Sequence, residues 1–398
     1  MIRKLEILCI YLTGLLQGLA LVTVPASSLV FTDPGKFGFS SSEYGLLFIP
    51  QVVTAIAASL LGPSFARRWG MKVVYQTGLI FNLLAMSLIA ASQLVWNNHN
   101  AAYMLVILGT GFVGAGFGST LPTINVYATN FFPNKSASAL TVLHTLLGTG
   151  TALAPFLVTV LVKQIGWWVL PVFVIAALMV LLAGAFILPL KDERAVIATA
   201  TSPAEHQVFL PVRVRLFLLI VFLYGFCETI FANWAIIFLN KEKGVQIQEA
   251  GYALAAFWVM VSVGRLLISI LSVWASPQWV YKILPIFITI SLVAVTKASS
   301  PVSGIFLFAL AGLSCSAFFP LTFSFGQKGF GPIAERVSGW IMASYMLGYG
   351  LAAYGVGKAI ELTHAPLGNL YLDSTVIALG IVFLSFMLTQ EKAPPTNC

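Results

Sequence analysis

The sequence predicts an all-α membrane protein with twelve transmembrane helices in two pseudo-symmetric bundles of six. Three observations predict it. The 398 residues contain twelve long apolar runs. The composition is 59% hydrophobic and only 9% charged, with a mean hydropathy of +0.94. The second six runs echo the first six in order. A helix needs about 20 apolar residues to cross a bilayer core. In lipid every backbone polar group must be satisfied internally, so only helices and closed barrels span it. The alternation of barrel strands is absent here.

The first run, roughly 5–32, follows Arg3 and Lys4. It is too long for the apolar core of a secretory signal and is expected to stay in place as a helix. Runs at roughly 43–66, 71–93, 101–131, 136–163 and 165–189 complete a first bundle, 1–189. The stretch 190–212 then reads LKDERAVIATATSPAEHQVFLP up to Pro211, with charges, small residues and two prolines. That composition is a linker, not a domain. Runs at roughly 213–240, 247–274, 278–297, 301–326, 333–361 and 367–389 form a second bundle within 213–398.

Four helix pairs can be laid over each other. Leu12-Thr13-Gly14 matches Leu223-Tyr224-Gly225, which puts Gln17 opposite Glu228. Tyr44 and Leu46 match Tyr252 and Leu254. Gly114, Pro122 and Phe132 match Gly312, Pro320 and Phe330. Leu147-Gly148-x-Gly150 matches Leu347-Gly348-x-Gly350, with Ser138 over Ser338. Small residues recur in any packed membrane helix. Four matches in the same order instead indicate internal duplication, which transporter folds often retain.

An even number of spans puts both termini on one side. Of the 21 lysines and arginines, only Lys36, Lys163, Lys241, Lys243, Lys297 and Lys358 fall on the opposite side. The positive-inside rule then places both termini in the cytoplasm. The net charge of +8 is thus a topology signal, and its spread over short loops argues against nucleic acid. Cys9, Cys227, Cys315 and Cys398 make no disulfide framework and have no metal-ligand spacing. No glycine-rich loop with lysine is present to hold ATP. No nucleophile–base set, no structural-metal cluster and no cofactor motif is legible.

The loop after the second span reads Gly62-Pro63-Ser64-Phe65-Ala66-Arg67-Arg68-Trp69-Gly70-Met71-Lys72. It resembles the signature loop of the major facilitator superfamily. The usual acidic position there is Ala66 or Arg67 in this chain. The seventh span carries Tyr224-Gly225-Phe226-Cys227-Glu228 and then Asn233-Trp234. The eighth carries Phe257-Trp258 and Gly264-Arg265. These look like the fucose-permease-like and sugar-porter-like branches. The fourth span has Gly109-Thr110 near where proton-coupled drug antiporters carry an arginine, and Ala154-Pro155 is a loose version of the antiporter motif. The resemblance implies the major facilitator fold, alternating access, and a gating role for Arg67 and Arg68.

Of 13 acidic residues, Glu228 alone lies near the middle of a span. It is ~22 Å along its helix at 1.5 Å per residue. An ionisable group at that depth costs several kcal/mol unless paired or wet, so it is a functional candidate by default. It is expected to carry a proton or hold the solute. Arg265 either snorkels to the interface or pairs with Glu228. His144 is a further proton-coupling candidate, or else a packing histidine. Gln17 is a solute-binding candidate by its place opposite Glu228 and by the family's use of the first and seventh helices. Thr123 and Asn125 follow Pro122, where a proline opens backbone groups toward a cavity. Asn233, Trp234, Trp258, Tyr345 and Tyr349 are candidate walls, because aromatic faces stack on sugars.

The expected function is secondary active transport of a small polar organic solute, sugar-like or another metabolite, by alternating access with proton-coupled uptake. The alternative is export of a metabolite, drug or metal chelate on the same fold. A transport-inactive receptor would have no use for Gln17, Glu228 and Asn125 at mid-depth, and no enzyme chemistry is legible. The expected setting is a monomer spanning a bacterial inner membrane, with protons and the solute as its partners.

Overall fold

The computed structural model describes residues 2–190, 212–271, 276–327 and 334–390. The linker at 191–211, Phe330, Cys398 and the charges Lys191, Arg194, Lys328 and Lys392 lie outside the described residues. The described residues form fifteen α-helices and two short 3₁₀ turns. The α-helices are α1 (Ile2–Ala26), α2 (Ser28–Thr32), α3 (Ser41–Leu46), α4 (Phe48–Trp69), α5 (Met71–Ala91), α6 (His99–Phe131), α7 (Ser136–Gln164) and α8 (Val169–Ile187). After the linker come α9 (Val212–Lys241), α10 (Ile247–Leu271), α11 (Pro277–Val295), α12 (Pro301–Cys315), α13 (Phe318–Gln327), α14 (Ala334–Thr363) and α15 (Leu367–Gln390). Three spans are each built of two helices: α1 with α2, α3 with α4, and α12 with α13. The fifteen helices therefore make the twelve expected spans.

Helix starts follow from capping side chains, which satisfy the first free N–H groups. Ser40 and Glu43 form a reciprocal capping box on α3. Asn98 caps α6, and Ser276 with Pro277 opens α11. Ser300 with Pro301 opens α12. Gly70, at φ 93°, ends α4 in a conformation that side chains disfavour.

Eleven of the spans are long and apolar enough to cross a membrane; α14 has the length at 30 residues but is not among them. Its sequence explains the difference. Ser344, Tyr345, Gly348, Tyr349, Gly350, Tyr354, Gly355 and Gly357 dilute its hydropathy. Those residue types suit a helix that faces protein and a site, not lipid.

Matched residues make matched contacts. Gly114 of α6 backs onto the Gln51 carbonyl of α4, and Gly312 of α12 backs onto the Phe257 carbonyl of α10. In both places a Cβ would overlap the facing backbone. Gly14 sits on Leu143 of α7, as Gly225 sits on Tyr345 of α14. The Gly-x-Gly motif departs from this symmetry. Gly348 packs on the Phe222 carbonyl of its own half, whereas Gly148 faces Ser262 across the seam.

The halves meet along two antiparallel seams. In one, α7 lies on α10, with Gly148 facing Ser262, Thr159 facing Gly251, and the Phe156 and Tyr252 rings 6.0 Å apart. In the other, α14 lies on α3 and α4. There Gly45 meets the Ala353 carbonyl, and Gly357 meets the Ser41 carbonyl. Toward the Arg67 end the second seam parts. A cleft lined by Ala55, Ser59, Phe117, Gly339, Met342 and Met346 opens there, and Gly339 has free space over its Cα. Among the described residues the second seam is therefore closed at the Ser41 end and holds a cavity toward the Arg67 end.

Candidate functional site

The tenth span breaks between Cys315 and Phe318, and the break follows from the sequence. Pro320 has no N–H, so the Ser316 carbonyl four residues earlier loses its helical donor. Arg265 Nε of α10 donates to that carbonyl at 3.0 Å. A cation at the C-terminal end of α12 also complements the helix dipole. The last carbonyl of α12, Cys315 O, accepts from the Tyr224 hydroxyl of α9 at 2.8 Å.

Glu228 lies one turn beyond Tyr224 and is buried. Tyr224 Oη is 3.0 Å from Glu228 Oε1, and Tyr345 Oη of α14 donates to Oε2 at 2.5 Å. Arg265 stands within electrostatic reach of Glu228, Tyr224 and Tyr345. The ion pairs seen among the described residues are Lys36–Asp33, His99–Glu43 and Lys358–Glu361. None joins Arg265 to Glu228. Of the two options for Arg265, the structure shows neither snorkelling nor ion pairing but a cap on a broken helix. His144, half-buried on α7, lies near Arg265 across the seam and senses its charge.

Gln17 is buried inside the first half. Its Oε1 accepts from Asn82 Nδ2 at 2.8 Å and from Thr120 Oγ1 at 2.7 Å. Thr123 donates to the Thr120 carbonyl at 2.7 Å. Pro122 frees the Gly118 carbonyl as Pro320 frees Ser316, and Ser59 of α4 is its partner at 3.4 Å. The two halves thus share a proline-released carbonyl, met by a serine in one and an arginine in the other. Asn125 Oδ1 is buried with no hydrogen-bond partner among the described residues.

Asn233, Trp234 and Tyr349 come together at the closed end. Tyr44 Oη donates to the Asn233 carbonyl at 3.0 Å, and Asn233 Nδ2 donates to Tyr349 Oη at 3.1 Å. The Trp234 ring lies 5.3 Å from Tyr44, and Phe48 lies 6.0 Å from Tyr349. Beyond them Glu361 of α14 accepts from Ser42 N at 2.9 Å and from the Ser42 hydroxyl. Trp258 packs edge-on against Phe257 at 5.2 Å. Trp234 Nε1 and Trp258 Nε1 are buried donors with no partner among the described residues. Arg67 and Arg68 are exposed; Arg67 donates to Ser64 Oγ at 3.1 Å, and Arg68 lies 5.0 Å over the Trp69 ring.

Asn82, Thr120, Tyr44, Ser42 and Glu361 were not among the expected site residues. Asn82 had a legible signal, as the one asparagine inside the third span. Glu361 had none, because it falls at a helix end where carboxylates are ordinary.

The described residues form a bundle of spanning helices with a buried carboxyl inside its second half, and the family match makes the class a membrane transporter, not an enzyme. The chain matches the Major Facilitator Superfamily over residues 7–353 and belongs to it. The glucose/mannose transporter GlcP of Bacillus subtilis is 22% identical over 360 residues, covering 87% of this chain and 86% of that protein. Solved structures share the fold at low identity. The D-xylose–proton symporter superposes with a TM-score of 0.76 at 15% identity, covering 100% of this chain and 99% of that one. The nucleoside transporter NupG gives 0.73 at 15%, covering 98% and 100%. The Escherichia coli fucose–proton symporter FucP gives 0.65 at 17%, covering 98% and 99%.

Proposed function

We propose that this chain takes up a small polar, sugar-like solute together with a proton by alternating access. The observation that carries the reading is Glu228, a buried carboxyl held by Tyr224 and Tyr345 beside a broken helix. Broken helices with released carbonyls are where secondary transporters build their sites. The relatives named as sugar and nucleoside transporters support a hydroxyl-rich solute, and those named as proton symporters support the coupling ion. Asn125 Oδ1, Trp234 Nε1 and Trp258 Nε1 offer one acceptor and two donors for such a solute. Both termini and the cleft at the Arg67 end face the cytoplasm in this reading, so the conformation is inward-open.

Purified protein in liposomes tests it. An acid-outside pH gradient should drive accumulation of at least one member of a panel of sugars, polyols and nucleosides. A protonophore should abolish that accumulation. Uptake indifferent to both would end the proton reading. Reporter fusions in the 190–212 linker and at Cys398 should both read cytoplasmic.

A further inference from the structure

We infer that the Tyr224 hydroxyl is a proton-dependent link between Glu228 and the break in the tenth span. The inference rests on Glu228 being the carboxyl that takes the coupling proton. Tyr224 has one hydrogen and two acceptors in reach, Glu228 Oε1 at 3.0 Å and Cys315 O at 2.8 Å. It serves one at a time. Among the described residues, Tyr345 in contrast is seen to donate only to Glu228 Oε2.

With Glu228 ionised, both tyrosines donate to it, and Tyr224 leaves the Cys315 carbonyl. With a proton on Oε1, that O–H donates to Tyr224 Oη instead. The Tyr224 hydrogen then turns to Cys315 O. The only bond formed is that of the added proton to Oε1, and Tyr345 keeps its place. Cys315 O is the last carbonyl of α12, so protonation ties the end of α12 to α9. The next carbonyl, Ser316 O, is held by Arg265 in both states, because Pro320 supplies no competitor. One strand of the break is fixed to α10 and the other is fastened to α9 only when the proton is aboard.

The groups around Glu228 narrow what can titrate. Its own helix supplies Tyr224 and Cys227, α14 supplies Tyr345 and Tyr349, α10 supplies Arg265, and α12 supplies Cys315. His144 of α7 senses Arg265. Tyrosine, cysteine and arginine ordinarily titrate above neutral pH. That leaves Glu228 and His144, and a His144→Gln variant separates them.

The experiment is hydrogen–deuterium exchange across residues 313–323, corrected for the intrinsic pH dependence of exchange, at about pH 5 and about pH 8. The wild type and His144→Gln should be several-fold better protected at the acid pH. Glu228→Gln carries an amide that donates to Tyr224 as the protonated acid does, so it should be protected at both. Tyr224→Phe should show no response. A Tyr224→Phe protein that keeps the wild-type response overturns the link while leaving Glu228 as the proton carrier. A wild type with no response overturns the link and leaves the proton reading to be decided by the liposome assay. A response lost in His144→Gln assigns the proton to His144 and overturns both. If Tyr224→Phe does not fold, Glu228→Gln decides: exchange that still follows pH, or is unprotected at both, rules the link out.

Discussion

The Tyr345 hydroxyl lies 2.5 Å from Glu228 Oε2 and bonds α14 to α9 through a buried carboxyl. That makes one residue of the helix that seals the closed end also a partner of the carboxyl at mid-depth. Four residues further along α14, Tyr349 reaches Asn233 and so the seal itself. In the proposed mechanism, protonation and closure therefore share a helix.

Glu228→Gln should retain exchange of solute across the membrane but lose accumulation driven by a pH gradient. Tyr345→Phe removes a hydrogen bond to a charged group, worth about 1.5–3 kcal/mol. Gradient-driven uptake should fall about tenfold or more. Counterflow and gradient-driven uptake in the same liposomes separate the two effects. Equal pH profiles for wild type and Glu228→Gln would remove Glu228 from the coupling step.

Gly148→Leu and Gly348→Leu should fail in different ways, although the sequence motif treats them alike. A Cβ on Gly348 overlaps the Phe222 carbonyl within one half. Overpacking of this kind costs about 1–3 kcal/mol, so this variant should melt at a lower temperature. A Cβ on Gly148 meets the Ser262 side chain across the seam. That variant should fold and insert normally and lose transport. Thermal melts in detergent beside uptake assays check it; equal melting losses would make the seam as rigid as a bundle interior.

Much of this was legible in the sequence, and the rest was hidden for physical reasons. Run length placed all twelve spans, with 333–361 among them, although the glycines and tyrosines of α14 lower its hydropathy below that of the other eleven. Glu228 stood out because a lone carboxyl in an apolar run has no cheap explanation. Its partners did not, because Tyr224 and Tyr345 look like ordinary membrane aromatics until distance joins them. Gln17 read as facing Glu228, and its observed partners Asn82 and Thr120 lie in its own half. Which groups Gln17 meets depends on packing that pairwise matching does not encode.

Glu361→Ala should open the closed end. Its carboxylate accepts from the backbone and hydroxyl of Ser42 in the other half and lies beside Lys358. The site is one-third exposed, so solvent screens part of the effect. A shift of about 1 kcal/mol toward the outward-open state, roughly fivefold in population, is expected. A cysteine placed at Asn233 should then react faster with an impermeant thiol reagent added outside. No change would mean that Gly45, Gly357 and the Tyr44–Trp234 contact hold the seal without this carboxylate.

Arg67→Ala/Arg68→Ala should act in the opposite direction. Among the described residues, the partners seen for these side chains are Ser64 and Trp69 on their own helix. The described part of the seam at their end holds a cavity, so contact with the other half is expected to form when that end closes. Losing two cations there removes support only from the closed form of that end. The variant should therefore favour the inward-open state, slow the return step, and leave solute affinity within about twofold, since surface charges distant from a site couple to it weakly. Accessibility of a cysteine at Met342, in the cleft, should rise from the cytoplasmic side, while solute-induced thermal stabilisation stays unchanged. Unchanged accessibility with lost binding would show that these arginines belong to the solute site and not to a gate. In Glu361→Ala/Arg67→Ala/Arg68→Ala the two biases should offset, with both probes returning toward wild-type rates; additive loss at one end alone would mean that the two ends do not belong to one rocking motion.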